Sequence, residues 1–148
     1  MLATKLKALL DSGAPIIAVG SWEEEIVEGA VRELARNLGR PLYVWSCAAG
    51  FEGEPEHNSP ASSPLDALNK LRNVEAASIA LLKDFHPFFN DPLCVRLLRE
   101  IALDAPSKGP VIVLSMPIAR VPVELEREAA YVSAPLPEAE ELKNIFIE

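Results

Sequence analysis

Ile16–Gly20, Leu42–Cys47, Ser78–Lys83 and Val111–Ser115 are runs in which apolar residues follow one another with little or no alternation. A strand with one wet face alternates polar and apolar side chains. A strand covered on both faces does not, and such strands belong to parallel sheets sandwiched between helices. The segments between the runs carry the helical period that such a sandwich needs. Leu2, Leu6, Leu9 and Leu10 mark a first short helix that stops at Asp11-Ser12-Gly13. Trp22, Ile26, Val27, Ala30, Val31, Leu34 and Leu38 form one stripe of a second, with Glu28 and Arg32 paired on its wet face and Gly39 as its C-cap. Ser63-Pro64 and Asp91-Pro92 each start a further helix, since proline suits the first helical position. Leu65, Leu68 and Leu71 supply the apolar face of one; Leu93, Leu97, Leu98 and Ile101 that of the other. A polar loop spans Ala48–Ser63, a short helix Val123–Glu128, and a brief fifth strand Tyr131–Ser133. A last helix begins near Pro137 and carries Leu142, Ile145 and Phe146. The pattern predicts one doubly wound α/β domain over residues 1–148, three layers α/β/α around a mainly parallel five-stranded sheet.

Bulk properties remove several classes of function. Of the 148 residues, 49% are hydrophobic, enough for a sizeable core and against disorder. A net charge of −8 disfavours a nucleic-acid-binding surface, which needs clustered lysine and arginine, and docking on anionic membrane. No apolar run approaches the roughly 18 residues of a membrane span, and the lysine-interrupted start does not resemble a signal peptide. The two cysteines, Cys47 and Cys94, make no disulfide framework and read as reduced thiols of a cytoplasmic protein.

In a sheet of this kind ligands sit at the C-terminal strand ends, which here are Gly20-Ser21, Ser46-Cys47, Asp84-Phe85-His86 and Ser115-Met116. Strand, turn and helix at Ile16–Leu38 have the layout that places an anion on a helix N-terminus. The residues do not follow through. A phosphate-cradling G-x-x-x-x-G-K-[ST] loop counted from Gly20 puts Glu25 at the second glycine and Ile26 at the lysine. Glu23, Glu24 and Glu25 satisfy the positive end of the helix dipole and repel a triphosphate. Ser21 and Glu24 have capping-box spacing, which predicts that the first-turn N–H groups are served internally. Asp84 ends an apolar strand as a magnesium-binding aspartate would, yet Phe85 stands where a water-polarising acid belongs.

The segments AVGSWEEE, RPLYVWSCAAGF, LLKDFHPFF and VIVLSMP resemble the N-terminal domain of the AAA-type ATPases of cyanobacteria, red-algal plastids and other bacteria. In those proteins a motif-degenerate AAA-like domain precedes an intact one. The resemblance extends over essentially the whole chain. It implies the P-loop NTPase strand order 5-1-4-3-2. It also implies that Gly20 and Ser21 match the Walker A turn, Asp84 the Walker B aspartate and Ser115 the sensor-1 site, all in degenerate form. An intact ATPase domain would then begin beyond Glu148.

Other constellations are weaker. His57, His86, Cys47 and Cys94 lack zinc-ligand spacing, so no metal is expected. Asp84, His86 and Ser115 could suggest a hydrolase triad, but no G-x-S-x-G elbow presents a serine. Glu52, Glu54 and Glu56 read as a solvated acidic run. Trp22, Trp45, Phe85, Phe88 and Phe89 lie near one sheet edge, where core packing is the default role of an aromatic ring. The Pro87–Asn90 stretch reads as a loop, and loop aromatics favour interfaces. The expectation is therefore a domain that is not an enzyme and binds no cofactor. It serves as an interaction or regulatory module for an ATPase domain, another protein or a second copy of itself. Trp22, Phe85, His86, Phe88 and Phe89 are the candidate contacts. The alternative is a nucleotide or small-ligand sensor, or an enzyme, using the same sheet edge.

Overall fold

The structure is a computed structural model, and it describes residues 2–52, 63–105 and 109–133. Helix α1 (Leu2–Asp11) leads into strand β1 (Ile16–Gly20), helix α2 (Glu24–Leu38) and strands β2 (Leu42–Ser46) and β3 (Gly50–Phe51). Helix α3 (Pro64–Leu71), strand β4 (Ile79–Lys83), helix α4 (Pro92–Asp104), strand β5 (Val111–Met116) and strand β6 (Ala129–Ser133) follow. Short 3-10 turns occupy His86–Asn90 and Val123–Leu125. The helix expected near Pro137 lies outside the described residues, as do Glu54, Glu56 and His57.

The sheet order is β3-β2-β4-β5-β1-β6. With the two-residue β3 set aside, the remaining strands run 5-1-4-3-2 from the β6 edge, all parallel, as the resemblance implies. The sixth strand is an addition to the expected five. It lies in the stretch expected to be loop, and it pairs antiparallel with β2, Trp45 opposite Phe51. Its cause is local. The Ser46 hydroxyl accepts a hydrogen bond from the Ala49 N–H at 3.2 Å, Gly50 takes φ 71°, and the turn delivers Phe51 into the core. Lys70 Nζ covers the Phe51 ring at 4.8 Å.

Alternate residues of each strand feed opposite faces, so the sheet carries two cores. Ile17, Val19, Ile79, Leu81 and Val113 pack beneath α1 and α2. Ile16, Ala18, Ala80, Leu82, Ile112 and Leu114 pack beneath α3 and α4. Gly39 ends α2 at φ 64° as a left-handed C-cap, and the Asp91 carboxylate caps α4 by accepting the Leu93 N–H at 2.9 Å. The predicted Glu28–Arg32 pair forms at 2.8 Å, and it belongs to a larger network. Arg32 also holds Glu52 at 2.7 Å, and Lys83 reaches Glu28. Glu52 is thus tied to α2 rather than simply solvated.

Two helix faces differ from the expected stripes. Trp22 precedes α2 and is 76% exposed, and Ile26 is also exposed. On α4 Leu93 faces solvent, while Cys94 and Val95 join Leu97, Leu98 and Ile101 inside. Burial, with the Asp91 carboxylate beside it, pushes the Cys94 thiol up to about 11.

A candidate binding edge at the strand C-termini

Strands β1, β4 and β5 end side by side, and the turns that follow them make the candidate site. The β1–α2 turn is short: Ser21, Trp22 and Glu23 alone separate the end of β1 from the start of α2. Within it the Ser21 hydroxyl accepts the Glu23 N–H at 3.0 Å, a local turn bond. The helix N-cap is Glu23, whose side chain caps nothing. The expected Ser21–Glu24 capping box is therefore absent. The helix starts at Glu24, two residues later than the box requires, so Ser21 is not its N-cap, and the Ser21 hydroxyl is satisfied by the Glu23 N–H instead.

The chain leaving β5 folds back onto this turn. The Ser21 N–H donates to the Met116 carbonyl at 2.9 Å, and a Cβ placed on Gly20 would lie 2.7 Å from the Ala119 backbone nitrogen. The last residue of β1 is glycine because another backbone passes within van der Waals contact of it. Ser115, one strand over, is buried in β5.

After β4 the chain turns sharply. Asp84 has φ 50°, a left-handed conformation that aspartate tolerates better than most residues, and its N–H donates to the Ser115 carbonyl at 2.8 Å. Asp84 and His86 face solvent while the Ser115 side chain is buried, so the three do not converge as a triad. Phe85 was expected among the contact residues, but it is fully buried. Its ring centroid lies 5.7 Å from Trp45, 5.5 Å from Phe88 and 5.9 Å from Phe89. It anchors the 3-10 turn to the core and has nothing to offer a partner. Phe88 and Phe89 are half-buried at the rim of this cluster.

Of the remaining candidates, Trp22, His86 and Phe89 do meet. With Ile118, Arg120 and Val121 from the β5–β6 connection they line a mostly apolar cleft of about 580 Å³. A second depression of about 300 Å³ adjoins it and shares Phe89 and Pro122; Val95, Arg96 and Arg99 of α4 form its far wall. The β5–β6 connection and the two α4 arginines are site residues that sequence reasoning missed. Their signal was weak: Ile118 and Arg120 stand in an irregular stretch with no period. Among the described residues no group of three or more His, Cys, Asp or Glu side chains is placed to hold a metal ion, and no helix is long and apolar enough to cross a membrane.

The architecture has solved counterparts. Two variants of Thermotoga maritima RuvB superpose with TM-scores of 0.62 and 0.61 over 97% of this chain and 46% of theirs. Their sequence identities, 14% and 15%, limit the likeness to the fold. The AAA domain-containing protein ycf46 of Guillardia theta is 32% identical over 141 residues, and that of Pyropia yezoensis 32% identical over 148. These matches take in 93% and 96% of this chain but only 28% and 30% of the relatives, so the chain spans less than a third of their length. The model of the SpoVK-like AAA ATPase N-terminal domain matches residues 2–134. With the strand order of a P-loop protein and that match, the chain belongs to the family of SpoVK-like AAA ATPase N-terminal domains.

Proposed function

We propose that this domain is a non-catalytic interaction or regulatory module of an AAA-type ATPase, and that by itself it neither binds ATP appreciably nor hydrolyses it. The observation that carries the reading is the packing of the Ala119 backbone against Gly20. The chain itself lies against the turn from which a phosphate cradle would have to be built. Three further features agree with it. The turn offers three residues where a cradle of the G-x-x-x-x-G-K type needs a longer loop, and Ile26 replaces the neutralising lysine. Glu24 and Glu25 bring negative charge to the helix N-terminus. Phe85, beside Asp84, is a core ring that can neither orient nor deprotonate water. Gly20, Ser21, Asp84 and Ser115 hold the fold together at this edge on this reading, and the exposed apolar groups Trp22 and Ile118 face a partner. That partner is the ATPase domain of the same or another polypeptide, or another protein.

Calorimetric titration of the 148-residue chain with ATP and ADP, with and without magnesium, tests the reading. Flat titrations are expected up to millimolar nucleotide. Micromolar affinity, or phosphate release above the uncatalysed rate, would overturn it.

A further inference from the structure

The two adjoining depressions at this edge form one elongated groove, pinched where Phe89 and Pro122 line both. Its floor is apolar, and two large side chains stand out along it: Trp22 is 76% exposed and Ile118 65%. Exposed apolar groups in a row mark an interaction surface rather than a solvent face. The groove is also basic, on a chain that is acidic. The chain carries a net charge of −8, yet Arg96, Arg99 and Arg120 line these walls with Glu124 as the accompanying carboxylate. Arg96 is engaged by Glu100 at 2.8 Å. The Arg99 Nε is buried and has no hydrogen-bond partner among the described residues.

From this complementarity we infer that the groove docks a polypeptide segment of a protein partner, with an apolar centre seated between Trp22, Ile118 and Phe89 and carboxylates beside it that meet Arg120 in the same lobe and Arg99 in the adjoining one. An arginine side chain in an apolar wall is paired by a carboxylate and left without an acceptor by an apolar ligand. The groove's two lobes suit an extended or helical segment better than one compact small molecule. The inference rests on the proposed interaction role and assigns the chemistry of what is bound.

Two synthetic peptides test it, each with a Leu-Phe-Ile centre and no tryptophan. One carries two aspartates after the centre, and the other carries two lysines there. Trp22 is the exposed tryptophan and Trp45 the buried one, so a change in tryptophan emission on titration reports the groove. The aspartate peptide is expected to bind about fivefold or more tightly than the lysine peptide at low salt, with the preference shrinking in molar salt. Arg120→Gln and Arg99→Gln should each reduce that preference at unchanged melting temperature, while Trp22→Ser should weaken both peptides. If Arg99→Gln lowers the melting temperature, Arg120→Gln alone decides. Equal binding of both peptides, no binding of either, or binding that survives Trp22→Ser would overturn the inference. So would saturation by a small apolar probe such as naphthalene sulfonate that excludes the peptide without any dependence on Arg120. Nucleotide binding in the calorimeter would instead overturn the non-catalytic reading, so the two failures are distinguishable.

Discussion

Gly20→Ala separates two reasons for a glycine at the end of β1. In a phosphate cradle the glycine leaves room for the ligand, so alanine there harms binding and leaves the ligand-free fold alone. Here the added methyl meets the Ala119 nitrogen at 2.7 Å and the Ala119 Cβ at 3.2 Å. The nearer atom is backbone, so it cannot swing away like the tip of a side chain. Forcing a methyl into such a contact costs about 1–3 kcal/mol. Restricting the unfolded chain returns about 0.4–1 kcal/mol. The net loss is on the order of 1–2 kcal/mol, which with a urea slope of about 2 kcal/mol per molar lowers the unfolding midpoint by roughly 0.5–1 M. Gly29 is the internal control. It sits exposed within α2, a Cβ there meets nothing within 4 Å, and a mid-helix glycine costs about 0.5–1 kcal/mol relative to alanine. Gly29→Ala should therefore raise the midpoint by roughly 0.2–0.5 M. The same chemical change is predicted to have opposite signs at the two sites. If Gly20→Ala proves neutral or stabilising, the β5–β6 connection does not press on β1, and the main support for a closed phosphate site is gone.

Phe85→Ala should cost about 3–5 kcal/mol in urea unfolding, because the ring is fully buried among Trp45, Phe88 and Phe89. Trp22→Ser, by contrast, should stay within about 0.5 kcal/mol of the parent while weakening association, and a large stability loss would show that the indole is packed. Glu28 supplies a pH signature. The Lys83 hydrogen bond, and then that of Arg32, hold its carboxyl below the ordinary 4.5. Because the folded value is the lower one, the stabilisation is full above the unfolded value and fades as pH falls through the folded one. The advantage of the parent over Glu28→Gln in urea midpoint should thus be constant near neutrality and shrink below about pH 4.5; an advantage that grows on acidification would refute it.

The layers were legible because their signals are dense and redundant. Unbroken apolar runs at Ile16–Val19, Ile79–Leu82 and Val111–Leu114, each too short for a buried helix and set between amphipathic helices, read as strands covered on both faces, and Asp91-Pro92 and Gly39 carry their own capping chemistry. Periodicity alone does not order parallel strands; the order came from the resemblance. The errors cluster where one contact outweighs local pattern. Trp22 fits the α2 stripe by spacing, but the helix starts two residues after it and leaves the ring outside. Ser21 and Glu24 have the capping-box interval, yet a hydroxyl two residues from an N–H closes a smaller turn first. Phe85, Phe88 and Phe89 look alike in sequence. Only the third dimension shows that the first is driven inward by the left-handed turn at Asp84 while the others stay at the rim. The two-residue strand β3 was unreadable because its cause is the burial of a single ring, Phe51.

The same edge explains why the site residues that were missed come from α4 and the β5–β6 connection. A doubly wound sheet necessarily has a crevice outside its strand C-termini, because neighbouring connections leave in different directions there. Something must fill it. With a phosphate, the walls are backbone N–H groups and a lysine, and they are concentrated in one loop with a motif that can be read off a sequence. On the proposed non-catalytic reading the crevice is closed instead by the nearest chain, Pro117–Val121, and its walls are side chains contributed by several connections. Such a surface has no motif, since Ile118, Arg120 and Arg99 need only be apolar or charged at the right points in space. Trp22, Ile118 and Val123 remain in water at an energetic disadvantage, of about 25 cal/mol for each Å² of apolar surface, which a docking partner would relieve.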